Sequence, residues 1–179
     1  MERRKVLSLL GLTTNIKNKD VYILLLREKE SELRIPIVIG SAEAQAIIIA
    51  SSNVKPPRPL SHDLFSEIML GYSIEIREVY INKVEDHIFH AEICCDRYGT
   101  TLRFDSRASD AIALALRFNA PIYTNDEVLR NAGIPPSAAP NLPNNDPIAL
   151  LKKKLDEAIQ KEDYENAARL RDEIRRLEE

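Results

Sequence analysis

The stretch Leu33–Ser51, LRIPIVIGSAEAQAIIIAS, decides the fold class. Its first seven residues, Leu33–Ile39, alternate and read as a strand, and Pro36 within them points to a sheet edge or a bulge. At Gly40-Ser41 the pattern changes to a helix, AEAQAIIIAS, whose first turn Ser41 can cap. The same change recurs at an offset of 67 residues, from Glu43-Ala44-Gln45-Ala46-Ile47 to Asp110-Ala111-Ile112-Ala113-Leu114.

Outward from this junction, Lys5–Leu12 and Val21–Leu26 (VYILLL) read as strands, the second so continuously apolar that both faces should be buried. Lys55-Pro56-Pro57-Arg58-Pro59 is a stiff connection. A helix follows over Ser61–Leu70, with Ser61 as N-cap and Asp63 favouring the positive helix start. Ser73–Asn82, His87–Cys95 and Thr100–Phe104 read as strands, and Arg97-Tyr98-Gly99 as a turn. A helix capped by Ser106 or Ser109 runs to about Phe118. Pro121–Thr124 is a short strand, and Asn125-Asp126 caps a last helix ending at Gly133. Three strands and a helix thus occur twice. The pattern predicts an α+β body of about seven strands and four helices, with an internal duplication as one reading. Two alanine-rich amphipathic helices, each preceded by serine, are the other.

Residues 135–145 read as a linker because they combine proline and asparagine with few large apolar side chains. In residues 146–179, Asp146-Pro147 is a helix start. Ile148, Leu151, Leu155 and Ile159, then Tyr164, Ala167, Ala168, Leu170, Ile174 and Leu177, recur at helical spacing around a break at Lys161-Glu162-Asp163. The expectation is an antiparallel helical hairpin with one apolar face.

The chain has 179 residues and 44% apolar composition, enough for an ordinary core and against disorder. No apolar run approaches the ~18 residues of a membrane helix. The charged start Met1-Glu2-Arg3-Arg4-Lys5 makes a poor signal peptide, so a cytoplasmic location is expected. Cys94 and Cys95 are adjacent. On a strand they point to opposite faces, and they lack the spacing of a zinc site, so reduced thiols are expected, one of them in the core. A net charge of −3 argues against a broad electrostatic grip on nucleic acid but allows a local basic groove. No glycine-rich phosphate loop, nucleophile elbow or H-E-x-x-H is present.

Several residues carry candidate chemistry, each with a structural reading beside the functional one. His62 suits a general base, and Asp63 a metal ligand or a helix-start carboxylate. Glu43 and Asp110 begin the two related helices. They could meet as paired carboxylates or simply stabilise helix N-termini by ~0.3–1 kcal/mol each. Arg58, Arg103 and Arg107 could clamp phosphate or form ordinary ion pairs. His87 and His90, three apart on one predicted strand, would face opposite sides and make a poor metal pair.

Arg58-Pro59-Leu60-Ser61-His62-Asp63-Leu64-Phe65 resembles an element of the bifunctional nuclease (BFN) family. Ser61 stands where that family usually has threonine, and it keeps the hydroxyl. Asp105–Ala115, Ile39–Ile47, Pro121-Ile122-Tyr123 and Glu127–Ile134 resemble further segments in the same order, spanning nearly all of 1–134. The tail, through Tyr164, Ala167-Ala168, Leu170, Arg171 and Ile174, resembles the UVR motif. That motif is a helical hairpin of bacterial excinuclease subunits B and C that also occurs in arginine-kinase activator and Clp ATPase proteins.

The first resemblance implies an oligomeric α+β domain acting as a nuclease on DNA, RNA or both. In that reading His62 is base or proton shuttle. Asp63, Glu43 and Asp110 are catalytic candidates and candidate ligands for Mg2+ or Mn2+, and Arg58, Arg103 and Arg107 bind substrate. The second implies a protein partner held through Tyr164, Ala167, Ala168, Leu170, Arg171 and Ile174. A contrasting reading is a non-catalytic oligomeric scaffold presenting the hairpin to a repair or proteolysis partner. A third is small-ligand sensing between the repeats.

Overall fold

A computed structural model describes residues 4–15, 18–52 and 56–140. The hairpin expected at 146–179, with all its partner-binding candidates, lies outside the described residues. Among those described, seven strands form one mixed sheet, curved as a half-barrel, with four α-helices. The strands are β1 Lys5–Asn15, β2 Asn18–Glu28, β3 Arg34–Gly40, β4 Glu75–Glu85, β5 Ile88–Arg97, β6 Thr100–Arg107 and β7 Ile122–Thr124. The helices are α1 Ser41–Ser51, α2 Ser61–Gly71, α3 Ala108–Phe118 and α4 Asp126–Ala132. The spatial order is β3-β2-β1-β7-β4-β5-β6. Each β-β-β-α set is an antiparallel meander followed by its helix. The short β7 joins the two meanders, antiparallel to β1 and parallel to β4.

Sequence pattern accounts for these placements. Leu24, Leu25 and Leu26 are wholly buried, as an unbroken apolar strand must be. In β3, Ile35, Ile37 and Ile39 are buried while Val38 is exposed, and Pro36 sits on an edge strand where a missing donor costs least. The turn Tyr98-Gly99, left-handed at both residues, closes β5 onto β6. Helix α3 packs centrally against β4, β5 and β6 and against α1 and α2. Its buried face of Ala111, Ile112 and Ala115 allows close approach.

Two local expectations are corrected. The N-caps of α1, α2 and α3 are Gly40, Leu60 and Arg107, none with a side-chain cap bond, so Ser41, Ser61, Ser106 and Ser109 do not cap. Helices α1 and α2 begin at the serine itself, one residue earlier than a serine cap would set, and in all three helices an acidic residue at the third position serves the positive end. His87 lies in the Asp86-His87 turn with φ 65°, not on a strand, so it and His90 do not share one. Cys94 and Cys95 are both buried and free, and one of them is in the core, as expected. Cys95 joins the core, where burial pushes its thiol pKa up, and Cys94 lies on the opposite sheet face between Glu78 and Arg103.

Candidate functional site

Helices α1, α2 and α3 each carry a carboxylate at the third helical position: Glu43, Asp63 and Asp110. Tertiary packing sends them to different partners. Asp110 accepts from Arg107 Nε at 2.7 Å and Nη2 at 3.1 Å, a bidentate clamp, and stands 3.1 Å from His62 Nε2. Glu43 accepts from Arg107 Nη1 at 2.9 Å. The two related carboxylates therefore meet, with one guanidinium between them. Gly40 makes room for this: a Cβ there would stand 2.7 Å from Glu43 Oε2.

Asp63 belongs elsewhere. One oxygen accepts from the Leu60 backbone N–H at 2.9 Å, and the other from Arg117 Nε at 2.7 Å. Leucine offers no side-chain acceptor, so only the carboxylate half of a capping box is present. Arg117 also donates to the carbonyls of Ala46 and Ala113, tying α1, α2 and α3 together. Its side chain is 9% exposed. No sequence feature singled out this residue, because a lone arginine near a helix C-terminus has an ordinary local explanation.

Burial works to raise the Asp110 carboxyl pKa. Hydrogen bonds and positive charge from Arg107, and the His62 bond, outweigh it and hold that carboxyl below the usual aspartate range. For Asp63, burial is likewise overcome by the Leu60 amide and by Arg117. Both are carboxylates at neutral pH.

His62, Asp110, Arg107 and Glu43 line a groove of about 970 Å³ between the helices and β6. Its apolar lining includes Ala46, Pro59, Ile93 and Leu114. Phe65 and Phe104 also line it, and each is 51% exposed. Sequence reasoning missed both phenylalanines as site residues; an aromatic in an amphipathic pattern reads as core until its neighbours are known. Among the described residues, Arg107 is the sole Lys or Arg of the lining. Arg103 instead faces Glu92 at 3.4 Å and Glu78 at 3.6 Å, on the Cys94 side of β6. Arg58 is exposed, next to the groove-lining Pro59.

These features define an α+β domain with a charged, aromatic-flanked groove at its helix-covered sheet. The chain belongs to the bifunctional nuclease domain family, whose model matches residues 24–137. A UvrB/uvrC motif model matches residues 145–179. An uncharacterized protein of Mycobacterium tuberculosis is 38% identical over 112 residues, covering 63% of this chain and 66% of that protein. Bifunctional nuclease 1 of Oryza sativa subsp. japonica is 26% identical over 115 residues, 63% of this chain and 35% of the rice protein. Bifunctional nuclease 1 of Arabidopsis thaliana is 25% identical over 177 residues, 85% of this chain and 54% of the plant protein. The matches thus span less than two thirds of these relatives' own lengths.

Proposed function

We propose that this chain hydrolyses phosphodiester bonds in DNA, RNA or both, with the groove beside His62 as its reaction site. The observation that supports this most is the shared use of Asp110 by His62 and Arg107 at the groove wall. An ionised carboxylate only accepts, so Nε2 of His62 carries the proton toward Asp110, and Nδ1 keeps its lone pair. Nδ1 is then the base for an attacking water, and His62 returns the proton to the leaving oxygen. Asp110 holds the imidazole in this tautomer and stabilises its protonated form.

Arginine has five N–H donors. Three are engaged by Asp110 and Glu43, and the remaining two suit the non-bridging oxygens of a phosphate. Glu43 keeps the guanidinium in place.

Glu43 and Asp110 supply the hard oxygens that Mg2+ or Mn2+ prefers. As arranged, both face the Arg107 guanidinium, and Asp63 is committed to Arg117. Among the described residues, no three His, Cys, Asp or Glu side chains converge as a ligand set. These residues do not fit a divalent ion in this arrangement, and each step above runs on the chain's own groups.

The test is cleavage of labelled single- and double-stranded DNA and RNA with magnesium, manganese or chelator. His62→Ala and Asp110→Asn are purified identically beside the parent. Cleavage by the parent and not by the variants supports the assignment; equal cleavage by all three, or none by any, overturns it. The match of residues 145–179 to the UvrB/uvrC motif favours a second reading, an adaptor that presents this segment to a protein partner. Pull-downs with and without residues 146–179 read it out separately: a partner lost with the segment, beside unchanged cleavage, assigns the two functions to different parts.

A further inference from the structure

Strand β6 is one edge of the sheet, protected only by the charges of Arg103, Asp105 and Arg107. The other edge, β3, carries Pro36. Strand β6 has no proline and no lysine, and its pairing with β5 runs without a register shift from Thr100 to Arg107. Its apolar side chains are also uncovered: Leu102 and Phe104 are each 51% exposed on the core-side face. Beside them, α2 presents a second uncovered stripe at helical spacing. Leu64 is 50% exposed, Phe65 51%, Ile68 48% and, at the helix end, Tyr72 64%. Phe65 and Phe104 line one groove, so the two stripes are continuous. Half of each of six such side chains is roughly 600 Å². A monomer's largest apolar patch is about 300–600 Å², and a standard interface uses about 800 Å² per partner. A paired strand backbone supplies the remainder.

The charges on β6 select one occupant. An antiparallel pairing of β6 with a second β6 about a two-fold axis has one register for each central residue. Centred on Arg103 or on Asp105, it sets like charges opposite each other, and centred on Ser106 it sets Asp105 opposite a second Arg107, whose guanidinium Asp110 and Glu43 already hold. Centred on Phe104, it sets Arg103 opposite the partner's Asp105, twice by symmetry, and Phe104 opposite the partner's Phe104. The Asp105 side chain is exposed and, among the described residues, has neither an ion pair nor a hydrogen bond. The Arg103 side chain is 45% exposed beyond its contacts at 3.4 Å and 3.6 Å.

We infer that two copies of this chain associate through β6, antiparallel and centred on Phe104, with their α2 stripes packed on the same side of a continuous sheet. The axis passes beside a residue that lines the groove, so the partner's Phe104 extends that wall.

The test is sedimentation of the full chain from 1 to ~100 µM. The parent is expected to be a reversible dimer. Asp105→Arg sets arginine opposite arginine, and the dissociation constant should rise about tenfold or more. Adding Arg103→Asp restores opposite charges, and the constant should return to within about threefold of the parent. A melting curve checks each variant. Because Arg103→Asp also loses contacts to Glu78 and Glu92, a second measurement stands apart from it. Phe104→Cys under mild oxidation should give a covalent dimer, and Leu102→Cys, which would face Ser106 of the partner subunit, should not. A monomeric parent, a dimer indifferent to Asp105→Arg, a failed rescue with failed cross-linking, or equal cross-linking at both cysteines overturns the inference. None of these readouts depends on nuclease activity, so the two proposals stand or fall separately.

Discussion

Glu43, Asp63 and Asp110 occupy the same local position in three helices, yet they do different things. Each helps a helix start. Only Asp110 also touches an imidazole, and only Asp63 pins a buried arginine. Asparagine is nearly isosteric with aspartate, so it separates these roles. Asp110→Asn frees His62 from its fixed tautomer and loosens Arg107. Cleavage rate should fall by about 10²–10⁴-fold with a small change in melting temperature, read by single-turnover kinetics beside calorimetry. Asp63→Asn should do the reverse, with stability falling by about 2–4 kcal/mol in urea titrations and chemistry nearly intact. That loss has a defined pH dependence. The folded-state pKa of Asp63 lies below the ordinary 3.8, so on acidification the unfolded chain takes the proton first. Its contribution is complete above about pH 5 and fades as pH falls through the folded value. The stability gap between parent and Asp63→Asn should therefore be constant from pH 7 to about 5 and narrow toward pH 3. A gap that widened in acid would overturn this account of Asp63.

The elements are joined by few but specific ties. Asn125 caps α4 as its sequence foretold, its side-chain oxygen accepting from Val128 N at 2.8 Å. Its amide reaches back to the Asn82 carbonyl at 2.9 Å and to the Tyr80 hydroxyl at 3.0 Å, so the cap also fastens α4 to β4. At the other end Gly133 closes the helix onto the Leu129 carbonyl. Its φ of −74° is ordinary, and the need for glycine is steric: a Cβ would overlap the Leu129 backbone oxygen. Gly133→Ala should cost about 1–3 kcal/mol, seen as a lower melting temperature, despite alanine's better helix propensity. The next residue, Ile134, exchanges two 2.8 Å backbone hydrogen bonds with Arg34. The strain should therefore propagate to β3, and amide exchange at Ile134 and Arg34 should quicken in the same variant.

Across the whole molecule, the sheet brings together residues far apart in sequence. Glu43 follows β3 and Arg107 ends β6, at opposite edges of the sheet, yet they are 2.9 Å apart because α1 packs on α3 across its curved face. The groove formed there has, among the described residues, one arginine in its lining, in a chain of net charge −3. This limits the electrostatic grip. Proteins that track a duplex release about 6–10 counterions, whereas one phosphate contact gives a log–log salt slope near −0.7 to −0.9. Oligonucleotide binding to His62→Ala, measured by anisotropy between 50 and ~300 mM salt, should give a slope between about −0.5 and −2. A slope steeper than about −5 would mean that a wider basic surface carries the binding.

The sequence by itself determined the elements. Period-2 and helical patterns are local, and β-β-β-α twice, the turn at Tyr98-Gly99, the edge proline and the Asn125 cap follow from short-range sterics and hydrogen bonding. The segments resembling the bifunctional nuclease family were equally visible as words in the chain. Tertiary structure alone decided which charged residues belong together. A carboxylate near a helix start reads alike whether its second partner is His62, Arg107 or Arg117. That partner lies 48 residues from Asp110, 64 from Glu43 and 54 from Asp63, and only the packing of α1, α2 and α3 chooses it. The same holds for Phe65, Phe104 and Arg103. Their side of a helix or strand follows from periodicity, but whether that side is covered depends on where the other elements end.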